Sequence, residues 1–180
     1  MKKEGENRLT NRPTALHGLL VTLMIGCLPV FASSDSLTAS IDNYFSVLKD
    51  DFKACAASSI VKSKHVKHIN AHFIRTLKKY QPLYSLSITN SKGKVFSEIV
   101  RGEKPVPIKK DVSKKIWYLE ARNLLKEYDV LVKEDNGRYY LFWSAPLFHK
   151  TPKGRIKFNG AVVAKIDLWD CFHKIAETTK

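Results

Sequence analysis

Beyond its first 32 residues the sequence has no apolar run able to cross a bilayer, which takes ~20 residues. It also lacks the signatures of common chemistry: no Gly-x-Ser-x-Gly, no His-Glu-x-x-His and no phosphate-binding loop. The acids Glu120, Glu127, Asp129 and Asp167 are scattered rather than grouped. The chain therefore reads as a non-enzyme with no cofactor. Cysteine is scarce, with three in 180 residues, too few for a scaffold built from disulfides. Eight glycines and seven prolines, dispersed, rule out a low-complexity chain. Acidic residues are in deficit, 17 against 31 Lys and Arg, for a net charge of +14. Such a balance favours anionic partners, namely nucleic acid, lipid headgroups, anionic polymers or acidic ligands.

What the N-terminus does contain is an export signal. Lys2, Lys3, Arg8 and Arg12 precede a largely apolar stretch from Ala15 to Phe31, and Val30-Phe31-Ala32 suits cleavage after Ala32. The alternative is an uncleaved anchor, against which stand the short run and its interruption by His17, Gly18, Gly26 and Pro29. A lipoprotein reading at Cys27 is weaker, because the apolar run continues past it. The first 32 residues carry four Lys or Arg and two acids, so residues 33–180 keep a net charge of +12. Export places this basic surface in the periplasm or outside the cell and argues against nucleic acid as partner. In an oxidising compartment the two remaining cysteines, Cys55 and Cys171, are expected to be bridged, tying the first mature helix to the last. Two separately buried thiols are the alternative.

The chain is long enough for one domain with a core and hardly for two. Leu37, Ile41, Tyr44, Phe45, Leu48, Phe52, Cys55 and Ala56 recur at helical spacing and predict a long first helix, with Asp35 or Ser36 as its cap. A second helix is predicted over Lys64 to Tyr80, with Val66, Ile69, Phe73 and Leu77 inward and Pro82 beyond its end. The period then changes to two. Leu83 to Thr89, the turn Asn90-Ser91-Lys92-Gly93, and Val95 to Val100 read as a hairpin. Arg101 to Lys110 reads as an irregular loop, and Val112 to Glu127 as a helix with Leu124 and Leu125 on or near its buried side. Three more strands are predicted: Asp129 to Lys133, Arg138 to Phe148 after the Asp135-Asn136-Gly137 turn, and Ile156 to Leu168. A short helix, Trp169 to Thr178, closes the chain. The fold class is α+β, a five-stranded antiparallel sheet with helices on it. Its fifth strand lies centrally beside the first, because the two local groups of strands must join.

The long first helix, the Asn-Ser-Lys-Gly turn, the Lys115-x-Trp117-Tyr118 helix start, the Asn-Gly hairpin, Ser144-Ala145-Pro146-Leu147 and the final Gly160-Ala-Val-Val-x-x-Ile-Asp-Leu168 strand stand in a telling order. Together, over about Ser36 to Ala176, they resemble the PAS-like extracellular sensor modules called Cache or PDC domains. The resemblance implies ligand sensing, with the ligand held between the sheet and the helix-loop region before the third strand. In amino-acid-binding members an Arg-x-Trp-Tyr motif grips the ligand carboxylate and an Asp on the last strand takes its ammonium. Here Lys115 stands at the Arg position, with Trp117 and Tyr118 as the aromatics. The Asp position falls on Lys165, two residues before Asp167, and a Tyr of the motif falls on Lys110.

A lysine cannot pair with an ammonium but can pair with a carboxylate, as a point charge. Two lysines facing one pocket therefore favour an anion without an amine, a mono- or dicarboxylate. The alternative is that Lys165 pairs with Asp167 or a nearby Glu and the pocket is filled by its own side chains. The expected ligand-binding set is Lys115, Trp117, Tyr118, Tyr140, Trp143, Lys165 and Asp167, with Tyr140 or Trp143 contributing according to which face of its strand meets the helix layer. The expectation is a stand-alone sensor domain which, lacking an output domain, docks on a membrane receptor or acts as a binding protein without signalling; the resemblance implies the first helix as docking or homodimer surface. The competing expectation is an envelope-associated interaction module with a basic surface, for which Lys62, Lys64, Lys67, Lys78 and Lys79 provide a stripe. His65, His68 and His72 have ligand-like spacing on one helix face, but no cysteine or acid completes a set, and no metal is assigned.

Overall fold

The computed structural model describes residues 34–105, 108, 110–134 and 137–178. The export signal with its cleavage after Ala32, Cys27, and the Asp135-Asn136 part of the hairpin turn lie outside the described residues.

Helix α1 (Ser34–Ala57) turns Ile41, Leu48, Phe52, Cys55 and Ala56 inward, as its spacing requires. A single turn, α2 (Ser59–Lys62), follows, started by Ser58, whose hydroxyl accepts from the Val61 N–H. Lys64 then adopts a left-handed conformation (φ 57°) and its ammonium donates to the Asn159 side chain at 2.6 Å. Helix α3 (Val66–Lys79) buries Ile69, Phe73 and Leu77. Val66, expected inward, opens the helix and is exposed instead.

Strands β1 (Leu83–Thr89) and β2 (Lys94–Val100) form the hairpin. Its turn is closed by the Asn90 side chain, which accepts from the Lys92 and Lys94 N–H groups. A two-residue strand, β3 (Lys110–Asp111), adds to β2 at the end of the stretch expected to be loop. Among the described residues the sheet thus has six strands rather than five; the extra one was missed because two residues are too few to leave a period in the sequence. Helix α4 (Ile116–Leu124) is shorter than expected. Leu125 leaves it in a left-handed conformation (φ 52°), which exposes Leu124 and Leu125 rather than burying them. Strands β4 (Tyr128–Lys133), β5 (Tyr139–Lys150) and β6 (Ile156–Asp167) complete the sheet, and α5 (Leu168–Thr178) follows directly.

The strand order is β3-β2-β1-β6-β5-β4, and every pair is antiparallel. β6 lies between β1 and β5, the central place expected for the last strand. One face of the sheet is covered by α1, α3 and α5. There Leu86, Ile88, Leu141, Trp143, Val162, Ala164 and Ile166 pack on Phe52, Ile69 and Phe73. The other face carries α4, whose Trp117 and Tyr118 pack on Val95, Val112, Ala161 and Val163.

The expected Cys55–Cys171 bridge is not formed. Both are free thiols buried in the helix-side core, where each packs as a small apolar side chain. The Thr76 hydroxyl lies 3.8 Å from the Cys55 sulfur as a donor, and burial pushes both thiol pKa values up.

Two predictions follow from this packing. Gly160 has φ +127°, and a Cβ there would lie 1.9 Å from the Thr89 carbonyl oxygen, on the seam between β1 and β6. Gly160→Ala should cost about 3 kcal/mol in urea unfolding; an unchanged midpoint would show that the strands part without loss. The second concerns His72, on α3, whose Nε2 is buried without a partner. Burial, and secondarily the Arg75 charge, hold its pKa below the ordinary value of about 6.5. A depressed folded pKa means that the unfolded chain takes the proton first. Stability is therefore complete above about pH 6.5 and falls as pH drops through and below it. Replacing His72 with Gln should flatten that acid limb in melts from pH 7.5 to 5.

Candidate functional site

The face under α4 is not filled. Strand β1 directs Leu86 and Ile88 to the helix-covered core and Ser85 and Ser87 to the other side, where small side chains leave space. The result is a cavity of about 210 Å³. Val163 and Lys165 of β6 and Phe142 of β5 continue its wall. Glu98 and Val100 of β2, Lys110 of β3, Val112, Trp117 of α4, Glu134 after β4 and Tyr84 complete it.

Lys165 is the centre of this arrangement. In the β1–β6 pairing, β1 advances two residues, Leu83 to Ser85, while β6 advances one, Ile166 to Lys165. This bulge re-aims Tyr84. The Lys165 ammonium lies 3.8 Å from the Tyr140 ring centroid, 4.7 Å from that of Tyr84 and 5.9 Å from that of Phe142. Desolvated cation–π contacts of this kind stabilise by about 2 kcal/mol. The fourth partner is Glu134, at 2.7 Å. The second lysine of the cavity, Lys110, pairs with Glu98 at 3.4 Å. Across the β2–β3 pair, outside the cavity wall, Lys94 bonds Asp111 at 2.5 Å, and this contact, with Ser113, holds the Asp111 carboxyl well below the usual range.

The residues expected to form the site divide. Trp117 lines the cavity, its ring stacked on Phe142 at 5.9 Å, and its carbonyl accepts from the Ser144 hydroxyl. Lys165 lines it as well, with Tyr140 beneath its ammonium. Tyr118 is not part of the cavity wall; it is fully buried beside it, donating from its hydroxyl to the Ser91 carbonyl at 2.9 Å and so pinning the β1–β2 turn. Lys115 is the N-cap residue of α4 and forms no part of the cavity wall. Trp143 is on the other face of β5, between Phe45 and Phe52, each with its ring centroid 6.2 Å away. Asp167 is not part of the cavity wall and does not pair with Lys165. It bonds Arg138 at 2.7 Å and caps α5 by accepting from the Trp169 N–H.

Sequence reasoning missed Glu134, Glu98, Tyr84 and Phe142. The alternation of Leu83 to Thr89 does carry the signal for Ser85 and Ser87; the partners set by strand pairing left none.

Two other places were candidates. An open groove of about 290 Å³ runs along α1, between Tyr44, Val47, Tyr80 and Ile175, and burial pushes the Tyr44 hydroxyl up to about 12. It contains none of the charged pairs. Of the histidines, His65 and His68 stack at 4.9 Å while His72 packs beside Phe73. Among the described residues no three His, Cys, Asp or Glu side chains group as a metal site.

No family model matches the chain, and no curated protein matches it. Solved structures do. The ligand-binding domain of the Campylobacter jejuni chemoreceptor Tlp3, in complex with 4-methylisoleucine, superposes with a TM-score of 0.55 at 14% identity, over 92% of this chain and 66% of that one. An extracellular ligand binding receptor from Desulfohalobium retbaense gives 0.52 at 16% identity, over 77% of this chain and 25% of that one. The extracellular domain of the putative histidine kinase mmHK1S-Z2 gives 0.56 at 12% identity, over 74% and 60%. The chain thus spans two thirds or less of these structures. Among the described residues no helix is long and apolar enough to cross a membrane. The mixed architecture, with its curled antiparallel sheet, is that of the Cache or PDC extracellular sensor domains, the fold that the sequence resemblance implied.

Proposed function

We propose that this chain is a ligand-sensing domain, working outside the cytoplasmic membrane, whose cavity takes a small carboxylate. The observation that carries the reading is the largely buried Lys165 ammonium, held in the cavity wall by aromatic rings. Its position under the Tyr84, Tyr140 and Phe142 rings pre-orients a cation at no cost in lysine entropy when an anion arrives. Ser85 and Ser87 supply hydroxyl donors on the same wall, and Trp117 a flat apolar side. A cavity of about 210 Å³ suits a ligand of a few heavy atoms. The role is binding, and the outer face of α1 is the surface through which a membrane receptor or a second copy would read the bound state.

A second reading has its own support. Each cavity lysine already has a glutamate partner, and Lys62, Lys67, Lys78 and Lys79 are exposed on the helices. On that reading the domain is an interaction module whose cavity is satisfied internally and whose basic surface meets an anionic partner.

A thermal-shift screen against carboxylates, amino acids, phosphates and polyamines separates the two. A ligand that binds only the folded state stabilises it by about 2.7 kcal/mol at a hundred times its dissociation constant. A carboxylate is expected to raise the melting temperature. Lys165→Ala should then cost about 2 kcal/mol of binding, roughly thirtyfold, and Lys115→Ala should leave affinity within about twofold. No shift with any small molecule favours the interaction module. A shift with amines alone rejects the carboxylate.

A further inference from the structure

We infer that the Glu134 carboxylate occupies the place on Lys165 that a ligand carboxylate takes, so that Glu134 is an internal competitor that sets the affinity of the cavity for anions. The inference rests on the carboxylate reading above and assigns the residue that regulates it.

Three charged pairs on or near this face differ in which partner is fixed. In Arg138–Asp167 the acid is the fixed member: its side chain is 1% exposed and also caps α5, while the guanidinium is 53% exposed. In Lys110–Glu98 the acid is again the more enclosed, 16% against 54%, so an incoming anion reaches the lysine without moving the glutamate. Lys165–Glu134 is reversed. The Lys165 side chain is 15% exposed and its ammonium is caged by Tyr84, Tyr140 and Phe142, whereas the Glu134 side chain is 35% exposed. The cation cannot follow its partner, and the acid can swing to water.

Both members line the cavity, so a ligand carboxylate reaches Lys165 from the side Glu134 now holds. The exchange is carboxylate for carboxylate. The ammonium keeps one anionic partner throughout, and the released glutamate gains water in place of the lysine. No buried charge is left unpaired at either end, which is what makes the exchange reversible near neutral cost. The tethered acid nonetheless lowers apparent affinity. If Glu134 holds Lys165 for nine-tenths of the time, a ligand finds a free ammonium one time in ten and binds about tenfold more weakly than its intrinsic affinity.

The test is titration calorimetry of the full chain with acetate, lactate and succinate. Glu134→Gln removes the competitor and should tighten binding of whichever of these the wild type takes by about tenfold, with Glu134→Ala giving the same gain. Glu127→Gln makes the same change of net charge at the Lys53 pair, away from the cavity wall, and should leave affinity unchanged. Lys165→Met in the Glu134→Gln background should abolish the gain. Equal affinity in wild type and Glu134→Gln overturns the inference, as does an equal gain in Glu127→Gln. In either case binding that is lost in Lys165→Met leaves the carboxylate-sensing reading standing. Binding of none of the three anions to wild type or to Glu134→Gln overturns both.

Discussion

Everything at the cavity depends on β6 being paired on both edges. Its hydrogen bonds to β1 and β5 fix it at the centre of the sheet, so its side chains alternate between the helix-covered core and the opposite face, where the cavity lies. Val162, Ala164 and Ile166 go to the core, and Val163 and Lys165 go to the cavity. A one-residue slip would bury Lys165 among Leu86, Ile69 and Phe73, where no partner could meet its charge. The register is held where the seam is tightest. There Gly160 lets the Thr89 carbonyl approach, and the Ala161 N–H donates to the Thr89 hydroxyl at 3.0 Å. The cation is thus placed by backbone geometry at the other end of the same strand.

Charge in this molecule is organised by depth. Exposed pairs such as Lys53–Glu127 and Lys79–Asp51 lie in water and stabilise little. On and near the cavity face each pair has one enclosed member, and each couples different elements: Lys165 of β6 to Glu134 beyond β4, Glu98 of β2 to Lys110 of β3, Asp167 at the start of α5 to Arg138. Although the chain as a whole is strongly basic, the cavity is balanced, two lysines against two glutamates. On the carboxylate-sensing reading, the overall field draws an anion to the surface and a local exchange of partners binds it.

The sheet was legible because most of its strands are long and bounded by clear turns; Tyr84 to Thr89 alternates apolar with small polar residues, and Tyr139 to Phe148 is a β-branched-free but aromatic-rich run that only a strand of a packed sheet accommodates. The same alternation separated Tyr140 and Phe142 from Leu141 and Trp143. It could not say which side α4 would cover, and so left Tyr140 and Trp143 as alternatives. β3 escaped because two residues between a proline-rich loop and a turn have no period. The bridge between Cys55 and Cys171 was expected from compartment and count, but whether two sulfurs meet is a matter of three-dimensional reach that neither quantity contains. Glu134 escaped for a related reason. It is 31 residues from Lys165, outside every periodic segment, and only the pairing of β4 with β5 and β5 with β6 brings the two together.

The choice between a working cavity and one kept only as scaffold turns on what the Lys165 pair does for the fold. A largely buried ion pair is a weak source of stability, because the loss of hydration on both charges offsets most of the attraction. An apolar side chain at position 165 would pack against Tyr84, Tyr140 and Phe142 at no such cost, and Glu134 could then stand free in water. As a device for folding, the pair is therefore inferior to its simplest replacement. As a device for binding it has what the replacement lacks: a fixed cation, an acid that can leave, and space beside both for another carboxylate to enter. The physical asymmetry of the pair, more than the likeness of the fold, is what favours a ligand.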